Sequence, residues 1–298
     1  NCGKSTRGFY TACSGSGMKK TTLKRVAISV CEIVLIITVI AGCALIRYTS
    51  RSPASPPYDA DMPILMYHDL NDGTQPCNSM TVTAARMEAD LKWLNDNGYT
   101  TVLPRELAAG VPLPDKPVMI TFDDGYRSNY DILFPLLKKY DMKASISIVV
   151  SATDNGSEHA LTWDMCREMT DSGLVEIDSH TYDLHNPDSC GAYKNEGDNG
   201  IQRHRWEGLR SYNSRVIDDI IKSYDRIQKE TGQPPSMLAY PYGISDRTAL
   251  IYVHHYFPVT VVTGYKTADL RHGLHELTRF SVNMENTPEA VINSDSAN

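Results

Sequence analysis

The sequence runs to 298 residues, 41% hydrophobic and 22% charged, enough for one large globular domain with appendages but tight for two. The formal charge of −7 conceals an asymmetry: residues 1–51 carry eight Lys or Arg and one acid, which makes that region +7 and the remainder −14. A basic leader before an acidic body argues against nucleic-acid binding by the folded part, and the lack of any GxGxxG or P-loop pattern argues against nucleotide chemistry.

In chain order, residues 1–25 read as a cytoplasmic leader, and Met18-Lys19-Lys20 opens like a bacterial export signal, so that residues 1–17 are expected to be non-native. Residues 26–46, VAISVCEIVLIITVIAGCALI, are apolar apart from Glu32, and about 20 such residues cross a bilayer. The basic residues before this segment outnumber those after it, which puts the body on the outer face of the cell membrane in a single-pass arrangement. An alternative is processing at Ile40-Ala41-Gly42-Cys43, which resembles a lipobox and would leave Cys43 lipid-anchored. The Pro/Ser-rich stretch 47–61 reads as an extended tether, and the body as residues 62–298.

Within the body, short apolar runs alternate with helical patterns, the signature of a parallel sheet built from βα units. Strands are expected at 63–67, 117–122, 144–150, 174–178, 237–241 and 259–263. Helices are expected at 84–97, with Met87, Leu91 and Leu94 on one face, and at 214–231, with Val216, Ile220, Tyr224 and Ile227. The polar stretch 186–212 reads as a long loop or insertion, and no internal repeat stands out. Of the seven cysteines only Cys77, Cys166 and Cys190 fall in the body, with no CxxC pair, which suits neither a zinc ribbon nor a thioredoxin-type site and allows at most one disulfide.

Three strand ends carry chemistry. The run Val118-Met119-Ile120-Thr121-Phe122 stops at Asp123-Asp124-Gly125-Tyr126; strand C-termini are where α/β barrels keep their active sites, although a bare Asp-Gly pair is also a common turn. The run Leu174-Val175-Glu176-Ile177 leads into Asp178-Ser179-His180-Thr181-Tyr182-Asp183-Leu184-His185. Two histidines five apart share neither a helix face nor a strand face, so they converge only across a turn. Such a turn near a carboxylate-bearing strand end supplies the mixed N/O ligand set of an open, zinc-type catalytic site. Taken alone, such a pair reads as solvated surface. The third run, Met237-Leu238-Ala239-Tyr240-Pro241-Tyr242-Gly243, ends in a turn able to aim a backbone N–H at an oxyanion.

In this order the three elements resemble the polysaccharide deacetylase family, carbohydrate esterase family 4 (the NodB homology domain). TFDDGY is similar to its first motif, SHTYDLH to its second and AYPYG to a variant of its third. The opening Pro63-Ile64-Leu65-Met66-Tyr67-His68 and the closing Leu277-Thr278-Arg279-Phe280-Ser281-Val282 resemble it too, so the likeness spans roughly residues 62–290. The resemblance implies an irregular, TIM-like (β/α) barrel in the α/β class and a metal-dependent hydrolase acting on N-acetylated polysaccharide. By it, Asp124, His180 and His185 hold a divalent ion (zinc, with cobalt or nickel as alternatives), Asp123 is the base and the Tyr242 N–H faces the oxyanion. His275, in Gly273-Leu274-His275, is a loose match for the acid. His68, Tyr126, Tyr240 and Pro241 are expected to contact substrate, with a purely structural role for His68 equally open. Three departures stand out. The histidines are five apart instead of four, as in the poly-N-acetylglucosamine branch; Ala239 replaces the arginine that usually steadies the aspartate; and the usual Leu-x-His is not evident.

Without the name, the roles remain physical: a metal held by one carboxylate and two imidazoles acidifies water, and a neighbouring free carboxylate takes its proton. No GxSxG elbow suggests a serine hydrolase. Two rival readings use the same residues, a non-catalytic metal-holding glycan-binding module and an O-deacetylase of another acetylated glycan.

Overall fold

Residues 58–185, 200–204 and 206–296 are described in a computed structural model. The leader, the segment 26–46, Cys43 and the linker up to residue 57 lie outside the described residues, as do 186–199 with Cys190. Among the described residues no helix is long and apolar enough to cross a membrane, and Cys77 and Cys166 are free.

Seven strands, β1 (Ile64–Tyr67), β2 (Pro117–Asp124), β3 (Ala144–Ile148), β4 (Val175–Ser179), β5 (Met237–Ala239), β6 (Val259–Gly264) and β7 (Leu277–Ser281), each pair in parallel with the next, and β7 closes on β1. This is the expected (β/α) barrel, with seven strands in the ring. Outside it lie α1 (Ala84–Asp96), α2 (Phe134–Tyr140), α3 (Trp163–Asp171), α4 (Leu209–Thr231), α5 (Leu250–Tyr256) and α6 (Pro288–Ser296). A strand buried on both faces splits its side chains with a period of two. On β2, Val118, Ile120 and Phe122 join the outer cluster beneath the helices. Met119 instead joins Ile64, Met237, Ala239, Val259, Val261 and Leu277 in another cluster, on the opposite face of the strand. Helix α1 starts where Thr83 Oγ1 accepts the Arg86 N–H at 3.2 Å and stops before Gly98 at φ +76°; burying Met87, Leu91 and Leu94 stabilises it by roughly 1.5–3 kcal/mol per side chain.

The structure differs from the expected elements in particular places. Helix α4 begins at Leu209 rather than 214, because Tyr212 is buried and its hydroxyl donates to Ile201 O at 2.9 Å, tying down a turn whose sequence looks polar. Strand β3 ends at Ile148, since Val150 starts a short helix, Val150–Asp154. The packed domain includes residues before 62: Tyr58 is buried with its hydroxyl donating to Val111 O at 2.7 Å, and Asp61–Met62 pairs antiparallel with Ala268–Asp269.

Strand β4 turns two acids away from the apolar face formed by Val175 and Ile177. Asp178 Oδ1 accepts the N–H groups of Ser236 and Met237, both at 2.8 Å, and Oδ2 accepts Ser145 Oγ at 2.7 Å, while Glu176 Oε2 accepts the Arg105 N–H at 3.0 Å. Burial pushes both carboxyls above their ordinary range, and Glu176 raises Asp178 further. A carboxyl raised on folding contributes stability that is present below its unfolded pKa and lost as pH rises through the folded value. Asp178→Asn keeps an acceptor for both N–H groups and offers its NH2 to Ser145, so its Tm should exceed that of the parent at about pH 8 and vary less with pH. A thermal melt across the pH range checks this, and a lower Tm for the variant at the alkaline end would contradict it.

Candidate active site

The three chemistry-bearing motifs meet at the C-terminal end of the barrel. At the end of β2, Asp124 has φ +70° and Gly125 φ +72°, a left-handed turn that sends the adjacent carboxylates in different directions. Glycine is required at 125, where a Cβ would lie 2.6 Å from Ile148 Cγ2 and 3.2 Å from Ile148 Cα. At the end of β4 the His180 N–H donates to Ile148 O at 2.9 Å, and Thr181, at φ +74°, reverses the chain so that the His180 and His185 rings stand 4.8 Å apart.

Asp124 Oδ1 lies 3.6 Å from His180 Nε2 and 3.4 Å from His185 Nε2. His180 Nδ1 sits 2.7 Å from Ala239 O; a carbonyl only accepts, so Nδ1 carries the hydrogen and Nε2 presents its lone pair to Asp124. Burial pushes the His180 imidazole down to about 4 and lowers His185 as well, so both rings are neutral, and burial raises Asp124. Three acceptor atoms thus converge within 4.8 Å of one another, and Asp124 Oδ1 is buried without a hydrogen-bond partner. Such a cluster is unfavourable until a cation fills it, so the residues fit a divalent metal.

Beside it, Asp123 is buried and receives both arms of the Arg279 guanidinium, Nη1 to Oδ1 and Nη2 to Oδ2, each at 2.7 Å. Burial alone would raise the Asp123 carboxyl, but the Arg279 charge and its hydrogen bonds hold it well below the usual carboxylate range. Asp123 is therefore an anion next to the Asp124–His180–His185 acceptor cluster but outside it. His68, at the end of β1, is buried, lowered by that burial, and close enough to Asp123 and Arg279 to feel both charges.

A family model for polysaccharide deacetylase matches residues 110–261, more than half of the chain. The chain belongs to the polysaccharide deacetylase family. Among its relatives, the Bacillus subtilis protein provisionally named polysaccharide deacetylase YxkH is 44% identical over 128 residues, 42% of this chain and 43% of that protein. The poly-beta-1,6-N-acetyl-D-glucosamine N-deacetylase of Escherichia coli (strain K12) is 28% identical over 210 residues, 62% of this chain and 31% of that protein. The chain thus matches less than half the length of these curated relatives. Among solved structures, a de-N-acetylase from Aggregatibacter actinomycetemcomitans superposes with a TM-score of 0.66 at 27% identity, covering 78% of this chain and 98% of that one.

Measured against the deacetylase family pattern, the site answers one departure and corrects several expectations. The arginine missing at Ala239 is supplied by Arg279 from β7, a residue to which sequence reasoning gave no role. The available signal was a lone arginine inside a strand otherwise built like core. Ala239 still contributes, through the carbonyl that orients His180. His275 is not at the site: it precedes β7, at the opposite end of the barrel, where its ring stacks on His254 at 3.6 Å. Tyr240 is fully buried among α4 and α5 residues such as Val216 and Val253, so it belongs to the core and not to a substrate surface. Pro241 is also buried and shapes the turn. Tyr126 lies beside Asp124, and its hydroxyl is pushed up to about 12 by burial and by that carboxylate. Tyr242, at φ +57°, is 44% exposed and its ring stacks on His185 at 4.8 Å. The turn beneath it needs Gly243, where a Cβ would lie 2.6 Å from Thr263 N.

Proposed function

We propose that the chain is a metal-dependent hydrolase that removes N-acetyl groups from N-acetylglucosamine-containing polysaccharide outside the cytoplasm. The observation that carries the reading is an ionised, arginine-clamped Asp123 beside a buried Asp124–His180–His185 acceptor cluster. A divalent ion held there by Asp124 and the two Nε2 atoms, zinc by donor type with cobalt or nickel as alternatives, would acidify water and polarise the acetyl carbonyl. Asp123 then accepts the water proton as oxygen adds to the acetyl carbon, while Arg279 keeps the carboxylate anionic and oriented. The Tyr242 N–H faces the oxyanion. When the C–N bond breaks, the proton taken by Asp123 passes to the departing sugar amine, with His68 as the adjacent relay, and acetate leaves.

The five-residue histidine spacing and the kinship with the Escherichia coli poly-beta-1,6-N-acetyl-D-glucosamine enzyme favour a β-1,6-linked N-acetylglucosamine polymer. Residues 26–46, as a membrane segment, or Cys43, as a lipid anchor, would hold the domain on the outer face. Intact cells carrying the full chain should release acetate from added N-acetylglucosamine polymer, and more slowly from acetyl-xylan. Release only after lysis would reverse the orientation. Glycan binding by purified protein without acetate release, with zinc, cobalt or nickel supplied, would favour a binding module, and preference for acetyl-xylan an O-deacetylase.

A further inference from the structure

The histidine turn is held by more than its own backbone. On its carbonyl side, the Val150 and Ser151 N–H groups donate to Thr181 O at 3.2 Å and Tyr182 O at 2.8 Å. On its amide side, two successive N–H groups converge on one carboxylate: Tyr182 N donates to Asp219 Oδ1 at 2.8 Å and Asp183 N to Asp219 Oδ2 at 2.9 Å. Asp219 lies on α4, far from the motif in sequence. One turn further along α4, Ser223 Oγ lies 2.9 Å from Ser179 Oγ, which in turn accepts the Thr181 N–H at 3.0 Å. Lys222 sets its ammonium 3.5 Å from the centre of the Tyr182 ring. Helix α4 therefore grips the segment between the two histidines at two of its four amides, those of Tyr182 and Asp183, and at the serine just before His180.

We propose that Asp219 is a positioning residue for the metal centre, a two-pronged carboxylate clamp that sets how far His185 Nε2 stands from His180 Nε2 and Asp124. This rests on reading the Asp124–His180–His185 cluster as a metal site. Four residues separate the two histidines, and the turn they form includes Thr181 in the left-handed region, so the place of the second imidazole depends on what holds that turn. A carboxylate accepting two backbone N–H groups makes short, charge-assisted bonds and pins both peptide planes at once. Asparagine is isosteric but supplies one acceptor oxygen, and its NH2 would face the second backbone N–H. The clamp touches neither the ion nor the substrate; it acts through His185.

Metal affinity tests this directly. Zinc binding would be titrated by competition against a chromophoric chelator for the parent, Asp219→Asn, Asp219→Ala and His180→Ala, with Asp218→Asn as a neighbouring α4 control and the Tm of each metal-free protein recorded. Loss of a group that orients a ligand typically costs roughly 10–100-fold in metal affinity, so Asp219→Asn should weaken zinc by about that factor, with acetate release recovered at saturating zinc. Asp219→Ala should weaken it at least as much, Asp218→Asn should match the parent, and His180→Ala should not recover. Parent-like zinc affinity in folded Asp219→Asn would overturn the proposal. Should Asp219→Ala fail to fold, the isosteric variant decides. A parent that binds no zinc, cobalt or nickel would defeat the metal reading itself, a result distinct from a metal-binding parent with an indifferent Asp219.

Discussion

Asp123→Asn should keep its divalent metal and lose about 10²–10⁴-fold in turnover, the usual cost of removing a general base. The expectation depends on the division of labour between two neighbours. Asp124 Oδ1 faces the histidines and Asp123 faces Arg279, with the left-handed Asp124–Gly125 turn separating them. Removing the Asp123 charge leaves the ligand set intact, and because the base acts in the transition state, the loss should fall on kcat more than on substrate affinity. The change is not silent for folding: Arg279, fully buried, would keep its cation without its anion, so the variant should melt earlier and be assayed well below its Tm. Metal content, oligosaccharide binding and acetate release measured side by side separate these effects. Unchanged acetate release would mean that the base is elsewhere, and His68 would be the next residue to replace.

Arg279→Met is the corresponding experiment from the other side of the pair and carries the largest expected loss of stability. Two bonds of 2.7 Å and one of 3.2 Å to Thr121 Oγ1 disappear, leaving a buried carboxylate without a counter-charge, a change that typically costs about 3–5 kcal/mol. The carboxylate has a second route, which is to take up a proton. The Arg279 charge is what holds the Asp123 carboxyl low, so without it burial should drive the carboxyl upward and move the acidic limb of the rate profile to higher pH. Chemical denaturation and a pH profile of acetate release read the two consequences separately. The double variant Asp123→Leu with Arg279→Met should regain much of the stability, since a buried ion pair exchanged for apolar side chains is often neutral or better, and it should regain no activity. An Arg279→Met protein as stable and as active as the parent would contradict the clamp.

What was legible in the sequence was whatever repeats locally. Apolar runs alternating with helical patterns gave six of the seven barrel strands, because the strand period is written within a few residues, whereas Asp124, His180 and His185 were singled out by the family resemblance and converge across the barrel. What was illegible depends on partners far along the chain. Arg279 meets Asp123 across 156 residues, from a strand otherwise built like core, and Asp219 meets the histidine turn from the middle of an amphipathic helix, 37 and 36 residues from its two partners. His275 was misread for the same reason. Its motif is local, but which end of the barrel it occupies follows from its coming before β7 and not after it. Tyr240 and Pro241 adjoin the site in sequence while strand alternation turns Tyr240 into the core.

A catalytic metal centre at Asp124, His180 and His185 is what the proposed reaction depends on. Its most direct test is metal content together with acetate release for the parent body and for His180→Ala, each loaded with zinc and freed of loosely bound ion. The parent should hold about one divalent ion per chain and release acetate from N-acetylglucosamine oligomers. The variant should lose nearly all of both, because it removes His180 Nε2, one of the three converging acceptor atoms, whose ring is held by the Nδ1–Ala239 O contact. Stoichiometric metal retained by His180→Ala would contradict the assignment.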